Sequence, residues 1–141
     1  VNSICQATTL KKSKNVNVFL LNGIKVDIVN YPYPWLSPAV ERNDLVLAGI
    51  EDIAAMKLSA ITGRGTRKDF IDMFFLLKRF SLDQMLHFYR QKYPEGTEFL
   101  VIKSLTYFED AEQDEFPIML IQQDWENIKH QIKSAVNKYL E

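Results

Sequence analysis

The chain has 141 residues, of which 47% are hydrophobic and 12% aromatic, which is enough for a domain with a real hydrophobic core. Its formal net charge of −1 gives no overall field that would attract nucleic acid, so an RNA or nucleotide site must be a local basic patch. The single cysteine, Cys5, excludes a disulfide framework within the chain, and only two histidines argue against a zinc site. No apolar run approaches the roughly 20 residues that cross a bilayer, so we expect a cytoplasmic protein without a membrane partner.

The first predicted element is a β-hairpin. Two β-rich runs, residues 16–21 and 24–29, are joined by Asn-Gly at 22–23, and both residues of such a turn tolerate a positive φ. The second run alternates, with one face apolar throughout and the other carrying Lys25 and Asp27. A two-stranded hairpin is marginal alone, so more sheet or a covering helix is expected.

Few other strands are predicted. Short segments at residues 45–47 and 118–121 are the remaining candidates, while the proline-rich stretch 31–38 is neither helix nor central strand. The shortage of strands suggests that sheet is missing upstream of the hairpin.

Helical periodicity follows the proline-rich stretch and predicts five helices. They cover about residues 51–62, 66–79, 81–92, 97–108 and 124 to the end. The second and third begin with the capping-box pairs Thr66–Asp69 and Ser81–Gln84. The second and last helices each carry one buried face, formed by Phe70, Met73, Phe74 and Leu77 and by Trp125, Ile128, Ile132, Val136 and Tyr139.

The predicted fold class is therefore α+β. A small antiparallel or mixed sheet at residues 1–48 packs on a helical region at residues 49–141, and the two form one compact unit.

Asp27 is the first candidate for chemistry. On the polar face of a strand, a carboxylate is most simply explained as solvated and paired with Lys25. The functional alternative is a metal ligand, since Mg²⁺ is held by carboxylate oxygens and shares its other positions with phosphate and water.

Lys57 flanks the apolar side of the first predicted helix. Most such lysines lay their stems along the core and leave the charge in water. The alternative is that the ammonium, a compact point charge, reaches a triphosphate.

The most charged segment is the turn before the second predicted helix. It carries Arg64, Arg67 and Lys68, and the amino end of the helix itself favours anions. Asp69 is explained as a cap and Asp72 as a partner of Arg67 or Lys68. Phosphate or RNA binding by the three cations is the functional alternative.

In order along the chain, these segments resemble one family. The blocks are Lys-Val-Asp27-Ile-Val, Gly-Ile-Glu-Asp-Ile-Ala-Ala-Met-Lys57, Arg64-Gly-Thr-Arg-Lys-Asp69-Phe-Ile-Asp72, Phe-Glu-Asp-Ala-Glu and Pro-Ile-Met-Leu. The succession is similar to the nucleotidyltransferase-like proteins of the AbiEii/AbiGii toxin group, within the DNA polymerase β-like superfamily.

The resemblance implies a small mixed sheet, a helical C-terminal region and an active site between them. Family members transfer a nucleoside monophosphate from an NTP to an RNA or protein acceptor, use Mg²⁺, and are encoded with a cognate antitoxin. The resemblance assigns roles as follows: Asp27 as a metal-binding carboxylate, Lys57 at the triphosphate, Asp69 or Asp72 as the helical aspartate that positions it, and Arg64, Arg67 and Lys68 beside the phosphates or acceptor.

One departure from the family pattern concerns the amino-terminal motifs. Family members begin with a Gly-Gly-Thr or Gly-Ser turn and a strand bearing Asp-x-Asp, whereas residues 1–15 contain no aspartate, glutamate or glycine. We expect a fragment, a truncated gene product or an isolated domain with little activity alone, because one carboxylate cannot hold two Mg²⁺ ions. The alternative is a non-catalytic binding or regulatory module that kept the fold and lost the metal site. An exposed hairpin edge could also pair with a second copy to form a homodimer.

Overall fold

The structure is a computed structural model that describes residues 6–141; Cys5 lies outside the described residues. The chain forms two compact units, Val1–Tyr33 and Pro34–Glu141. The residues that follow Tyr33 cluster with the helices. The division after residue 48 expected from the sequence stays a prediction. The α+β class is confirmed.

The first unit contains a three-stranded antiparallel sheet. Its strands are β1 (Ala7–Lys12), β2 (Val16–Leu21) and β3 (Ile24–Val29), and they lie in the order β1-β2-β3. The predicted hairpin is confirmed: β2 pairs with β3, and the connecting Asn22 and Gly23 have φ values of 49° and 83°. Both values lie in the left-handed region that this tight turn requires.

The sequence predicts more sheet beside the hairpin, but it indicates neither the location of β1 at Ala7–Lys12 nor the exposure of β3. β1 pairs with β2, and its register shifts between Thr9 and Lys11. On β3, Ile24 is 68% exposed and Ile28 is 57% exposed, so the apolar face predicted for this strand is largely open. The sheet thus gains a strand upstream of the hairpin, and among the described residues Val26 on this face is half-buried while Ile24 and Ile28 stay largely exposed.

The second unit contains a small hairpin and six helices. The hairpin pairs β4 (Val40–Arg42) with β5 (Leu45–Leu47). The helices are α1 (Ile50–Gly63), α2 (Arg67–Leu76), α3 (Leu82–Lys92), α4 (Glu98–Leu105), α5 (Glu109–Glu112) and α6 (Trp125–Leu140). The predicted strand at 45–47 is confirmed. The predicted strand at 118–121 is wrong: no strand forms there, and Ile118 and Leu120 are fully exposed.

Local capping explains where the helices begin. Both predicted capping boxes are present, at Thr66 before α2 and at Ser81 before α3, and the Asp124 side chain accepts a hydrogen bond from Asn127 N at the start of α6. Each cap satisfies backbone donors that would otherwise have no partner in the first helical turn.

The helices share one core. Its largest fully buried side chains come from α1, α2, α3, α4 and α6 and are Leu58, Phe70, Met73, Met85, Leu86, Val101, Leu105, Ile128 and Ile132. The faces predicted for α2 and α6 are the ones that pack into this core. Within residues 6–141, no helix combines the length and apolarity needed to cross a membrane.

A buried ion pair fixes the proline-rich connection to two helices. Asp52 on α1 and Lys92 on α3 are both completely buried, with Lys92 Nζ 2.5 Å from Asp52 Oδ1. Lys92 also donates to Pro34 O at 2.7 Å, and the Asp52 carboxylate accepts from the backbone N–H groups of Leu36 and Ser37. Burial raises the pKa of Asp52, but these hydrogen bonds and the Lys92 charge outweigh it and hold the pKa below its ordinary 3.8.

Candidate functional site

The candidate site is organised around Asp69, the third residue of α2. The Asp69 side chain is completely buried. Its carboxylate accepts from Arg64 Nε at 2.9 Å, from Arg64 Nη2 at 3.0 Å and from the Thr66 hydroxyl at 2.7 Å. The arginine contact is bidentate, which fixes the guanidinium in one plane. Asp69 therefore both caps α2 and orients Arg64.

The ionisation of Asp69 follows from these partners. Burial raises its pKa, but the hydrogen bonds from Arg64 and Thr66 and the charges of Arg64 and Lys57 outweigh burial. The pKa of the carboxyl is held below its ordinary 3.8. Asp69 is consequently an anion at neutral pH and acts as a hydrogen-bond acceptor, not as a proton donor.

Lys57 approaches the same carboxylate from α1. Its Nζ lies 3.4 Å from Asp69 Oδ1 and 2.6 Å from Asp72 Oδ2. The Lys57 side chain is 25% exposed and that of Asp72 is 47% exposed, so this ion pair lies at the protein surface. Asp72 is thus paired with Lys57, and the expected pairing with Arg67 or Lys68 is wrong.

Arg67 is built into the helical core. Its side chain is only 9% exposed, and it donates to Ala111 O at 3.0 Å and to Glu112 O at 3.1 Å. The guanidinium carbon lies 4.5 Å from the ring centre of Phe116 and 4.9 Å from that of Trp125. These contacts join the start of α2 to the segment around α5 and to the start of α6. The predicted role of Arg67 beside phosphates stays a prediction.

The amino end of α2 already holds two carboxylates of the chain itself. The backbone N–H of Arg67 donates to Asp114 Oδ2 at 2.8 Å, and the backbone N–H of Thr66 lies 3.3 Å from Asp69 Oδ2. These carboxylates complement the positive end of the helix dipole. The cations that face solvent near this helix end are Arg64, whose side chain is 63% exposed, and Lys68.

Asp27, in the first unit, pairs with Lys25. Lys25 Nζ lies 3.8 Å from Asp27 Oδ1, and the two side chains are 65% and 50% exposed. This agrees with the solvated ion pair expected as the simplest explanation. Among residues 6–141, no group of three or more His, Cys, Asp or Glu side chains is arranged to hold a metal ion. One exposed carboxylate does not make a Mg²⁺ site, so the described residues do not fit the metal that the resemblance implies.

Two contributions to the site were missed at the level of sequence. Asp114, which binds the amino end of α2, lies 47 residues from Arg67. Glu112, on α5, accepts a hydrogen bond from Trp125 Nε1 at 2.9 Å and from Lys129 Nζ at 2.6 Å. No local periodicity signals contacts over such separations. The acidic run after the fourth predicted helix was the one available hint.

Comparisons with known proteins agree with the family resemblance of the sequence. Residues 22–140 match the family model described as nucleotidyl transferase AbiEii toxin, type IV TA system. The chain is also similar to the uncharacterized protein aq_aa25 of Aquifex aeolicus (strain VF5), with 36% identity over 145 residues, covering 100% of this chain and 69% of that protein. No solved structure matches the chain.

Proposed function

The chain belongs to the AbiEii nucleotidyl transferase toxin family of type IV toxin–antitoxin systems, and from that membership we propose that its helical unit binds the triphosphate of an NTP. In this proposal the complete toxin transfers the nucleoside monophosphate to an RNA or protein acceptor, and the family implies a cognate antitoxin.

The observation that supports the proposal is the arrangement of Lys57 and Arg64 around the buried Asp69. Both cations are held on one carboxylate, from α1 and from the turn that leads into α2, and both keep part of their side chain in solvent. Phosphoryl transfer depends mainly on positioning and on electrostatic stabilisation. Cations oriented in advance lose less conformational freedom when a phosphate arrives.

We assign the roles accordingly. Lys57 contacts the triphosphate, Arg64 and Lys68 extend the cationic surface towards the phosphates or the acceptor, and Asp69 positions Lys57 and Arg64. Asp27 would be a metal ligand only if further carboxylates were brought to it. Because the described residues supply no such group, we expect residues 1–141 alone to incorporate little nucleotide.

Thermal unfolding in the presence of each of the four NTPs tests the binding proposal. A ligand at about 100 times its Kd stabilises the folded state by about 2.7 kcal/mol, which is readily detected as a rise in Tm. We expect this rise in the wild type and its loss in Lys57→Ala. Lys103→Ala, which removes an exposed lysine from α4, is the matched control. Equal rises in Tm for the two variants would contradict the assignment of Lys57.

A non-catalytic binding or regulatory role is the second candidate, and the lack of a metal-holding group among residues 6–141 favours it. The two candidates separate in a transfer assay with labelled NTP, Mg²⁺ and total RNA. Labelled product that disappears in Lys57→Ala supports transfer, whereas NTP binding without product supports the binding module.

Pairing of two copies through the open edges of the β1–β3 sheet also remains our proposal, and sedimentation equilibrium over a range of concentrations tests it.

A further inference from the structure

Lys57 lies between two carboxylates that differ in their surroundings. Asp69 is completely buried and is also held by Arg64 and Thr66. Asp72 is half exposed, and among the residues that the structure describes Lys57 is the partner of its carboxylate. The shorter of the two lysine contacts, 2.6 Å against 3.4 Å, is nevertheless the one to Asp72.

The Asp72 carboxylate occupies a position suited to a phosphate oxygen. Carboxylate and phosphate oxygens accept the same short, charge-assisted hydrogen bond from an ammonium group. The contact to Asp69 points into the protein, while the contact to Asp72 lies on the side open to solvent. Of the two carboxylates that contact Lys57, Asp72 is therefore the one that an anion from solvent can replace.

Displacement of Asp72 is energetically feasible. Ion pairs between partly exposed side chains contribute only about 0–1 kcal/mol, because water and salt screen them. Asp69 keeps its arginine and threonine partners whether or not Lys57 moves, so the buried carboxylate is not left without donors. Loss of the Lys57–Asp72 contact thus leaves the rest of the cluster intact.

We propose that Asp72 is an internal competitor that holds the Lys57 ammonium until a nucleoside triphosphate displaces it. The inference rests on the proposed function and concerns regulation of the same site. It also bears on ligand class. Lys57 and Arg64 both contact Asp69 Oδ1, so an anion that displaces Asp72 from Lys57 also comes close to Arg64. A triphosphate carries more negative charge than orthophosphate, and we therefore expect this pair of cations to favour it.

Calorimetric titration of the whole chain with inorganic tripolyphosphate, at fixed ionic strength, tests the competitor. We expect Asp72→Asn to bind about two- to tenfold more tightly than the wild type, as removal of a competing exposed ion pair and of one like charge predicts. The gain should vanish in the double variant Lys57→Ala/Asp72→Asn. Asp83→Asn, which removes an exposed aspartate from α3, is the charge-matched control and should leave the affinity unchanged.

Each of the other outcomes overturns the proposal that Asp72 competes for Lys57. Weaker or unchanged binding by Asp72→Asn would make Asp72 a positioning residue for Lys57 instead. An equal gain in tripolyphosphate affinity for Asp83→Asn, or a gain that persists in Lys57→Ala/Asp72→Asn, would show that the effect comes from net charge alone. If the wild type binds tripolyphosphate through Lys57 and Asp72→Asn does not change the affinity, the proposed function stands and the proposal that Asp72 competes is wrong. If neither the wild type nor Asp72→Asn binds tripolyphosphate, both proposals are wrong.

Discussion

The buried pair between Asp52 and Lys92 gives the sharpest prediction for stability. Both side chains are completely buried, and their hydrogen bonds reach the backbone at Pro34, Leu36 and Ser37. Asp52→Asn keeps the shape and one acceptor but removes the charge, so the Lys92 ammonium stays buried without its counter-ion. Lys92→Met is the reciprocal change, which leaves a buried carboxylate.

The expected magnitude follows from what each single change leaves behind. Removal of one partner of a buried pair costs about 3–5 kcal/mol, because the other charge remains desolvated. The loss of unfolding free energy in Asp52→Asn should lie near the lower end of this range, since Lys92 keeps its 2.7 Å hydrogen bond to Pro34 O. Replacement of both charges in Asp52→Asn/Lys92→Met removes the uncompensated charge altogether. We therefore expect a coupling free energy of at least about 2 kcal/mol between the two changes.

Urea unfolding followed by tryptophan fluorescence measures these free energies for the helical unit alone. Both tryptophans of the chain, Trp35 and Trp125, lie in that unit, so unfolding of the amino-terminal sheet does not contribute directly to the signal. Glu126→Gln, which removes a highly exposed partner of Lys129, is the control and should cost less than about 1 kcal/mol. The reasoning is refuted if the single variants lose no more unfolding free energy than this control. It is also refuted if the losses of the two single variants simply add in the double variant.

Three further predictions use the same measurement. Because the folded pKa of Asp52 lies below 3.8, the stability that its charge contributes is present above about pH 5 and is lost as pH falls through the folded pKa. The difference in stability between the wild type and Asp52→Asn should therefore persist near neutral pH and disappear only at pH values below that folded pKa. Gly65→Ala should cost about 1 kcal/mol, because its φ of +50° suits glycine, whereas Gly63→Ala meets no atom within 4 Å and should be neutral or stabilising. Arg67→Ala should cost at least about 2 kcal/mol, while Lys68→Ala should stay within about 0.5 kcal/mol.

Features that depend on neighbouring residues could be predicted from the sequence. The hairpin follows from Asn22-Gly23 between two β-rich runs, because few residue pairs accept two positive φ values in succession. The starts of α2 and α3 follow from capping boxes that span four residues each. In such cases the partners that satisfy a backbone group lie within one turn of it, and spacing alone identifies them.

Features that depend on distant partners could not be predicted in this way. The apolar segment 118–121 has the composition of a strand, but a strand also needs a partner strand, and this segment pairs with neither of the two sheets that the described residues form. Asp52 and Lys92 are 40 residues apart, and each has the pattern of an ordinary surface charge on its own helix. Their burial becomes evident only when α1 packs against α3.

The two arginines of the basic turn illustrate the same limit and carry a consequence for the site. Arg64 and Arg67 are equivalent by spacing, but Arg67 lies against Phe116 and Trp125, far downstream in the chain, while Arg64 stays largely exposed. The turn therefore exposes one arginine to solvent, whereas its sequence suggests two. Arg64 and Lys57 are each already bound to a carboxylate. The triphosphate that we propose for this site would compete with these internal anions, so we expect its affinity to be modest and to fall as salt screens the long-range attraction that remains.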